Sequence, residues 1–121
     1  MNKTINKLIL LTTTVILSIG VFSCDKNNFE NKETLKELYK VYKNGEISEC
    51  KYNGETVFRA GINAYDAGSV VYDKEGKQIA SCYGWGNDDP ICSKLTDCEV
   101  IYRVKNNIWG EPAVDKYGLG K

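Results

Sequence analysis

The chain has 121 residues with 16 basic and 16 acidic side chains and no histidine. With the charges balanced, no basic patch emerges that would suggest nucleic acid or sustained attraction to anionic lipid. The missing histidine excludes Ser/His and Cys/His nucleophilic machinery and histidine-held metals.

Met1 to Lys7 carries Lys3 and Lys7 and no acid, and Leu8 to Phe22 is a run of 15 residues broken only by Thr12, Thr13, Thr14, Ser18 and Gly20. A positive flank followed by a short apolar segment is the pattern of a secretory signal. A membrane-crossing helix needs about 20 apolar residues, so a transmembrane anchor is the weaker reading. Val21-Phe22-Ser23-Cys24 then resembles the bacterial lipoprotein signal, in which an aliphatic and a small residue precede a cysteine that is acylated and becomes the mature N-terminus. That resemblance implies lipidation of Cys24. Two or three acyl chains hold a domain at a membrane, because each buried methylene contributes about 0.8 kcal/mol.

The resemblance places the domain in the cell envelope, facing the periplasm or the cell exterior, with the outer membrane as the expected site. Asp25 matches an inner-membrane retention signal of enteric bacteria, a rule other groups do not share. The expected organisation is a signal over 1–23, a polar tether over 24–32, a small domain over 33–110 and a C-terminal tail over 111–121.

Taking the 23 residues before Cys24 from 121 leaves 98, enough for one domain. Only 19 of these are Leu, Ile, Val or Phe, but eight Tyr with Trp85 and Trp109 add apolar area. A thin, aromatic-rich core calls for staples. Cys50, Cys82, Cys92 and Cys98 supply an even set, which in an exported chain implies two disulfides. Three pairings are open; the favoured one joins Cys82 to Cys92 across a Gly-rich loop and Cys50 to Cys98 between strands. By chain entropy these would contribute about 3 and about 4 kcal/mol if independent.

In chain order, Leu35, Leu38, Tyr39 and Tyr42 fall on one face of a helix over 33–44, with Thr34-x-x-Glu37 at capping-box spacing and Asn44-Gly45 as a stop. From Ile47 the period becomes two. Asn53-Gly54 predicts a tight hairpin between 48–52 and 55–60, in which Cys50 faces Val57 and Glu49 faces Phe58. A second hairpin is expected from 69–73 and 77–82 around Asp73-Lys74-Glu75-Gly76. Residues 98–105 alternate, which predicts Cys98, Val100, Tyr102 and Val104 facing inward, with Ile101 breaking the polar side. Asn106-Asn107 suggests a turn, Ile108-Trp109 one more short strand, and 110–121 a loose tail. The fold class is α+β, an N-terminal helix followed by an antiparallel sheet of four to five strands, disulfide-stapled.

Tyr83-Gly84-Trp85-Gly86-Asn87-Asp88-Asp89-Pro90 lies between two cysteines. Tyr83 and Trp85 offer flat apolar faces, and Asn87, Asp88 and Asp89 offer oxygen atoms, so these five residues form the candidate binding loop. The favoured reading is nevertheless a purely structural closed loop, in which Trp85 covers the core and Asp88-Asp89-Pro90 starts a helical turn over 91–95; if the chain binds a partner, this loop is the first candidate. The calcium-loop pattern D-x-[DN]-x-[DN]-G is absent, there is no C-x-x-C, and no metal, cofactor or catalytic residue is expected. Arg59 and Arg103, both on predicted strands, are expected to pair with nearby carboxylates.

Cys50 with its hairpin, Tyr72-Asp73-x-x-Gly76-x-x-Ile79-x-x-Cys82 and Cys92 resemble a group of small bacterial envelope lipoproteins, a group that implies no activity. Cys50-x-Tyr52-x-Gly54 on a lipid-anchored, stapled sheet also resembles the membrane-bound lysozyme inhibitors, although their Ser-Gly-x-x-Tyr inhibitory loop is absent. Three functions follow as expectations. The leading one is a non-enzymatic domain that binds an envelope protein or glycan. The second is an inhibitor of a host or competitor hydrolase, plugging an active site with residues 84–90. A small envelope enzyme comes third, disfavoured by size and the missing histidine.

Overall fold

The computed structural model describes residues 29–121 apart from Trp85 and Asn87. The expected signal and lipidation site at Cys24 lie outside the described residues. Among the described residues are one α-helix, α1 (Lys32–Tyr42), and six strands: β1 (Glu46–Tyr52), β2 (Glu55–Gly61), β3 (Ser69–Asp73), β4 (Gln78–Cys82), β5 (Thr96–Arg103) and β6 (Val114–Asp115), with a 3-10 turn over Pro90–Ser93. The strands form one antiparallel sheet in the order β4-β3-β2-β1-β5-β6. An α+β, disulfide-stapled class is therefore observed, with two corrections. The strands number six, and the helix stands inside the chain from Lys32 rather than at its N-terminus.

The helix buries Leu35, Leu38 and Tyr42 as its spacing requires, against Ile47, Phe58, Ala60, Ile101 and Tyr102 of the sheet. The expected capping box does not form: no side chain caps the helix, and the Thr34 hydroxyl instead donates to Lys74 O at 2.6 Å in the second hairpin. A tertiary partner has taken the hydroxyl that local spacing assigned to the helix end. Phe29, in the stretch read as tether, stacks on Tyr117 with ring centroids 4.6 Å apart.

The first hairpin has the predicted register, Cys50 opposite Val57 and Glu49 opposite Phe58. Asn53 and Gly54 both take positive φ, 50° and 78°, which the mirror-image turn demands. In the second hairpin Asp73 Oδ1 accepts the amides of Glu75 and Lys77, and Gly76 sits at φ 91°.

β5 departs from its predicted alternation. Ile47 opposes Tyr102 while Ser48 opposes Val100, so Ile101 is an extra residue in the ladder. A bulge of this kind shifts the phase of the strand. Ile101 and Tyr102 consequently both enter the helix-side core, at 0% and 8% exposure. A second irregularity lies between Glu49 and Lys51, with Asp97 on the β5 side at φ 52°. It leaves Cys98 exposed, not inward as the alternation implies, while its partner Cys50 is buried.

Ile108-Trp109 is a turn, not a strand, and residues 110–121 are not a loose tail. They add β6 to the sheet, pack Tyr117 and Leu119 against the core, and tie Asp115 to the amides of Leu119 and Gly120.

The disulfides join Cys50 to Cys98 and Cys82 to Cys92, the favoured pairing. On the sheet face opposite the helix, Cys50, Val57, Val71, Ala80 and Cys82 form a second core, covered by Ile91, Cys92 and Leu95. That cover spans only part of the face, and the candidate site begins where it ends.

Candidate functional site

Strand alternation in β2 puts Phe58 and Ala60 toward the helix and Val57 and Arg59 toward the opposite face. Val57 lies under the 90–95 segment, whereas Arg59 lies beyond it, half-buried, on the floor of an open groove of about 490 Å³. That volume falls in the range of small-ligand sites, about 300–1,000 Å³. Ser48 opposes Arg59 across the β1–β2 ladder, and Arg59 Nε donates to Ser69 Oγ on β3 at 2.7 Å.

Three segments build the walls: 61–68 after β2, Tyr83, Gly84 and Asp88 after β4, and the turn carrying Trp109. Ile108 N donates to Asn63 Oδ1 at 2.8 Å, which ties the first wall to the third. Asn107 holds that third wall in shape, its side chain bonding Val104 O, Glu111 O and Glu111 N at 2.8, 2.8 and 3.1 Å. Gly68 lets the first and second walls meet. A Cβ there would lie 2.5 Å from the Tyr83 ring and 2.8 Å from Cys82 O, and its φ of +69° is itself unfavourable for a side chain.

Of the predicted binding loop, Trp85 and Asn87 lie outside the described residues. Tyr83 is 52% exposed on the groove rim, near Ile62 at 51% and Trp109 at 39%. Asp88 and Asp89 are committed to the backbone. Asp88 Oδ1 accepts the amides of Tyr83 and Gly84 at 2.6 and 2.8 Å, and Asp89 Oδ2 accepts Ser81 N at 2.7 Å on the outer edge of β4. Asp89 N in turn donates to Ser81 O at 3.4 Å, so one residue covers part of the free edge of the sheet. The loop therefore brings Tyr83 and Asp88 to the groove and turns Asp89 away to the strand edge.

The two arginines behave differently. Arg103 is paired as expected, with Nε 2.6 Å from Glu46 Oε2. Arg59 is not: among the described residues no carboxylate lies within salt-bridge distance of it, and its bond goes to a neutral hydroxyl. The available signal was its strand phase, since Arg59 shares a face with Val57 and the disulfide-bonded Cys50. Both disulfides reach the groove, through Cys82 and Cys98.

Among the described residues no cluster of His, Cys, Asp or Glu is placed to hold a metal ion, and no helix is long and apolar enough to cross a membrane. The fold and groove define a small disulfide-stapled α+β domain with an arginine-floored cleft. Comparison of the chain with models of protein families, with characterised proteins and with solved structures gave no match.

Proposed function

We propose that this chain is an exported, lipid-anchored envelope protein whose small domain binds a partner without catalysing a reaction, and that the Arg59 groove is its binding surface. The observation that carries the reading is the groove itself: a half-buried cation ringed by the exposed side chains of Ile62, Tyr83 and Trp109 on a frame of two disulfides. Aromatic side chains on rigid supports make contact area at small entropic cost. The disulfides favour an oxidising compartment, in keeping with the signal-like N-terminus and the lipid expected on Cys24.

Two measurements test this. Intact mass of membrane-extracted protein should read a diacyl or triacyl chain beginning at Cys24, with four thiols appearing only on reduction. An unlipidated mass would sink the anchor. Tyr83→Ala and Trp109→Ala, each folded, should weaken capture of an envelope protein or glycan fraction; undiminished capture by both removes the groove from contention.

A second reading, inhibition of a host or competitor hydrolase, is favoured by the loop after β4. Closed by Cys82–Cys92 and held by Asp88, it presents Tyr83 on a constrained backbone suited to entering an active-site cleft. Assay of purified protein against muramidases and other glycan hydrolases separates the two readings.

A further inference from the structure

We infer that Arg59 recognises a carboxylate carried beside an apolar group, with the C-terminal end of a peptide as the occupant. This deepens the binding reading above and rests on it for taking the groove as the ligand site.

A guanidinium has five N–H donors. In Arg59 the Nε–H is given to Ser69 Oγ at 2.7 Å. The Nη groups have no partner among the described residues, and no buried side-chain nitrogen or oxygen there lacks one. The Nη groups are thus uncommitted among the described residues, and Arg59 lines the groove. Anchoring Nε fixes the plane of the fork, the arrangement in which arginine binds a planar oxyanion through two parallel hydrogen bonds.

The surrounding charges select among anions. Glu46 is neutralised by Arg103 at 2.6 Å. Asp88 and Asp66 also line the groove, and neither has a cationic partner among the described residues. Attraction to Arg59 and repulsion from these two acids both grow with ligand charge, and with one guanidinium against two acids the groove carries no surplus of positive charge to favour a dianionic phosphate over a single carboxylate. A charged sugar would also need acceptors for its hydroxyls. Of the groove carboxylates, Glu46 is engaged with Arg103 and Asp88 with two backbone amides, which leaves Asp66 alone without a partner among the described residues to receive them. What remains is a fork, two serine hydroxyls and an apolar rim, which match a terminal carboxylate with apolar side chains behind it.

The test is an NMR titration of the full lipid-bearing chain in detergent micelles with N-acetyl-phenylalanine, reading the Arg59 Nε–Hε signal and the amides of Ser69 and Gly84. The expected result is a saturable shift at these positions. N-acetyl-phenylalaninamide, identical but uncharged, should bind at least about tenfold more weakly, as should the acid to Arg59→Gln, given that a hydrogen-bonded charge contact contributes more than about 1.4 kcal/mol. Equal responses to acid and amide, or shifts confined to other surfaces, overturn the inference. Glucuronate or inorganic phosphate saturating the same signals at lower concentration overturns the peptide end as occupant. Should Arg59→Gln not fold, the acid and amide pair on the unaltered chain decides alone. Intact mass tests the anchor separately: a lipid-bearing chain without the carboxylate response overturns this inference and leaves export standing, and a response on an unlipidated chain does the reverse.

Discussion

The hydroxyls of Tyr42 and Tyr72 lie 2.7 Å apart and bridge the last turn of α1 to β3. Burial, reinforced by that bond, pushes the Tyr42 hydroxyl well above the ordinary tyrosine range, and burial also raises Tyr102 and Tyr117. A folded state that holds these protons more tightly than the unfolded chain is fully stabilised below the unfolded tyrosine pKa of about 10 and loses that stabilisation as pH rises above it. Urea unfolding should therefore give a flat stability from pH 7 to about 9.5 and a steep fall beyond pH 10. Tyr42→Phe should cost about 1 kcal/mol at neutral pH, from the lost bond, and make the alkaline fall shallower. An unchanged alkaline slope would place the effect elsewhere.

The two disulfides close loops of different length, with sequence separations of 48 and 10. Replacing Cys50 and Cys98 together by Ala should cost about 4 kcal/mol, and replacing Cys82 and Cys92 about 3 kcal/mol, on the chain-entropy estimate. The shorter bridge also holds the Tyr83 wall, so its removal should disturb the groove even where the fold survives. Thermal melts of the two double variants, with amide spectra of the groove residues, check both statements.

Asn107 is 9% exposed and makes three bonds to backbone groups. Asn107→Ala leaves those groups without their partner and should cost about 2 kcal/mol. Asn107→Asp should cost more, because it turns an acceptor toward the carbonyls of Val104 and Glu111 where the amide now donates. Urea midpoints with equal slopes would read the order; a milder Asp variant contradicts the assignment of Nδ2 as the donor to both carbonyls.

Asp89→Ala exposes Ser81 N at the edge of β4. The expected cost is about 1–2 kcal/mol, together with a new tendency to self-associate, since an uncovered edge is a template for strand pairing. Concentration-dependent light scattering of the variant against the unaltered chain measures the second effect. Asp89→Asn, which keeps an acceptor oxygen, should remain near the parent in both assays.

Features that depend on near neighbours were legible in the residues alone. Leu35, Leu38 and Tyr42 at helical spacing made α1, Asn53-Gly54 fixed the register of β1 and β2 because few residue pairs accept two positive φ values, and Asp73–Gly76 marked the turn of the second hairpin, though not the register shift between Val71 and Tyr72. The cysteine pairs observed are the favoured ones, Cys50 and Cys98 lying near predicted strand starts and Cys82 and Cys92 flanking a short loop, but the choice among three pairings was made by the fold. The phase of β5 was set by the assembled sheet, where one bulged residue buried Ile101 and another irregularity turned Cys98 outward, since a bulge depends on which strand lies alongside. Tertiary contacts likewise decided that Thr34 serves Lys74 instead of its own helix end, and that 110–121 rejoins the sheet. The groove belongs to this second group: Arg59, Ser69, Tyr83 and Trp109 are distant in sequence. They meet only because the 90–95 cover stops short of one end of the sheet and leaves Arg59, in a core-facing phase, open to solvent.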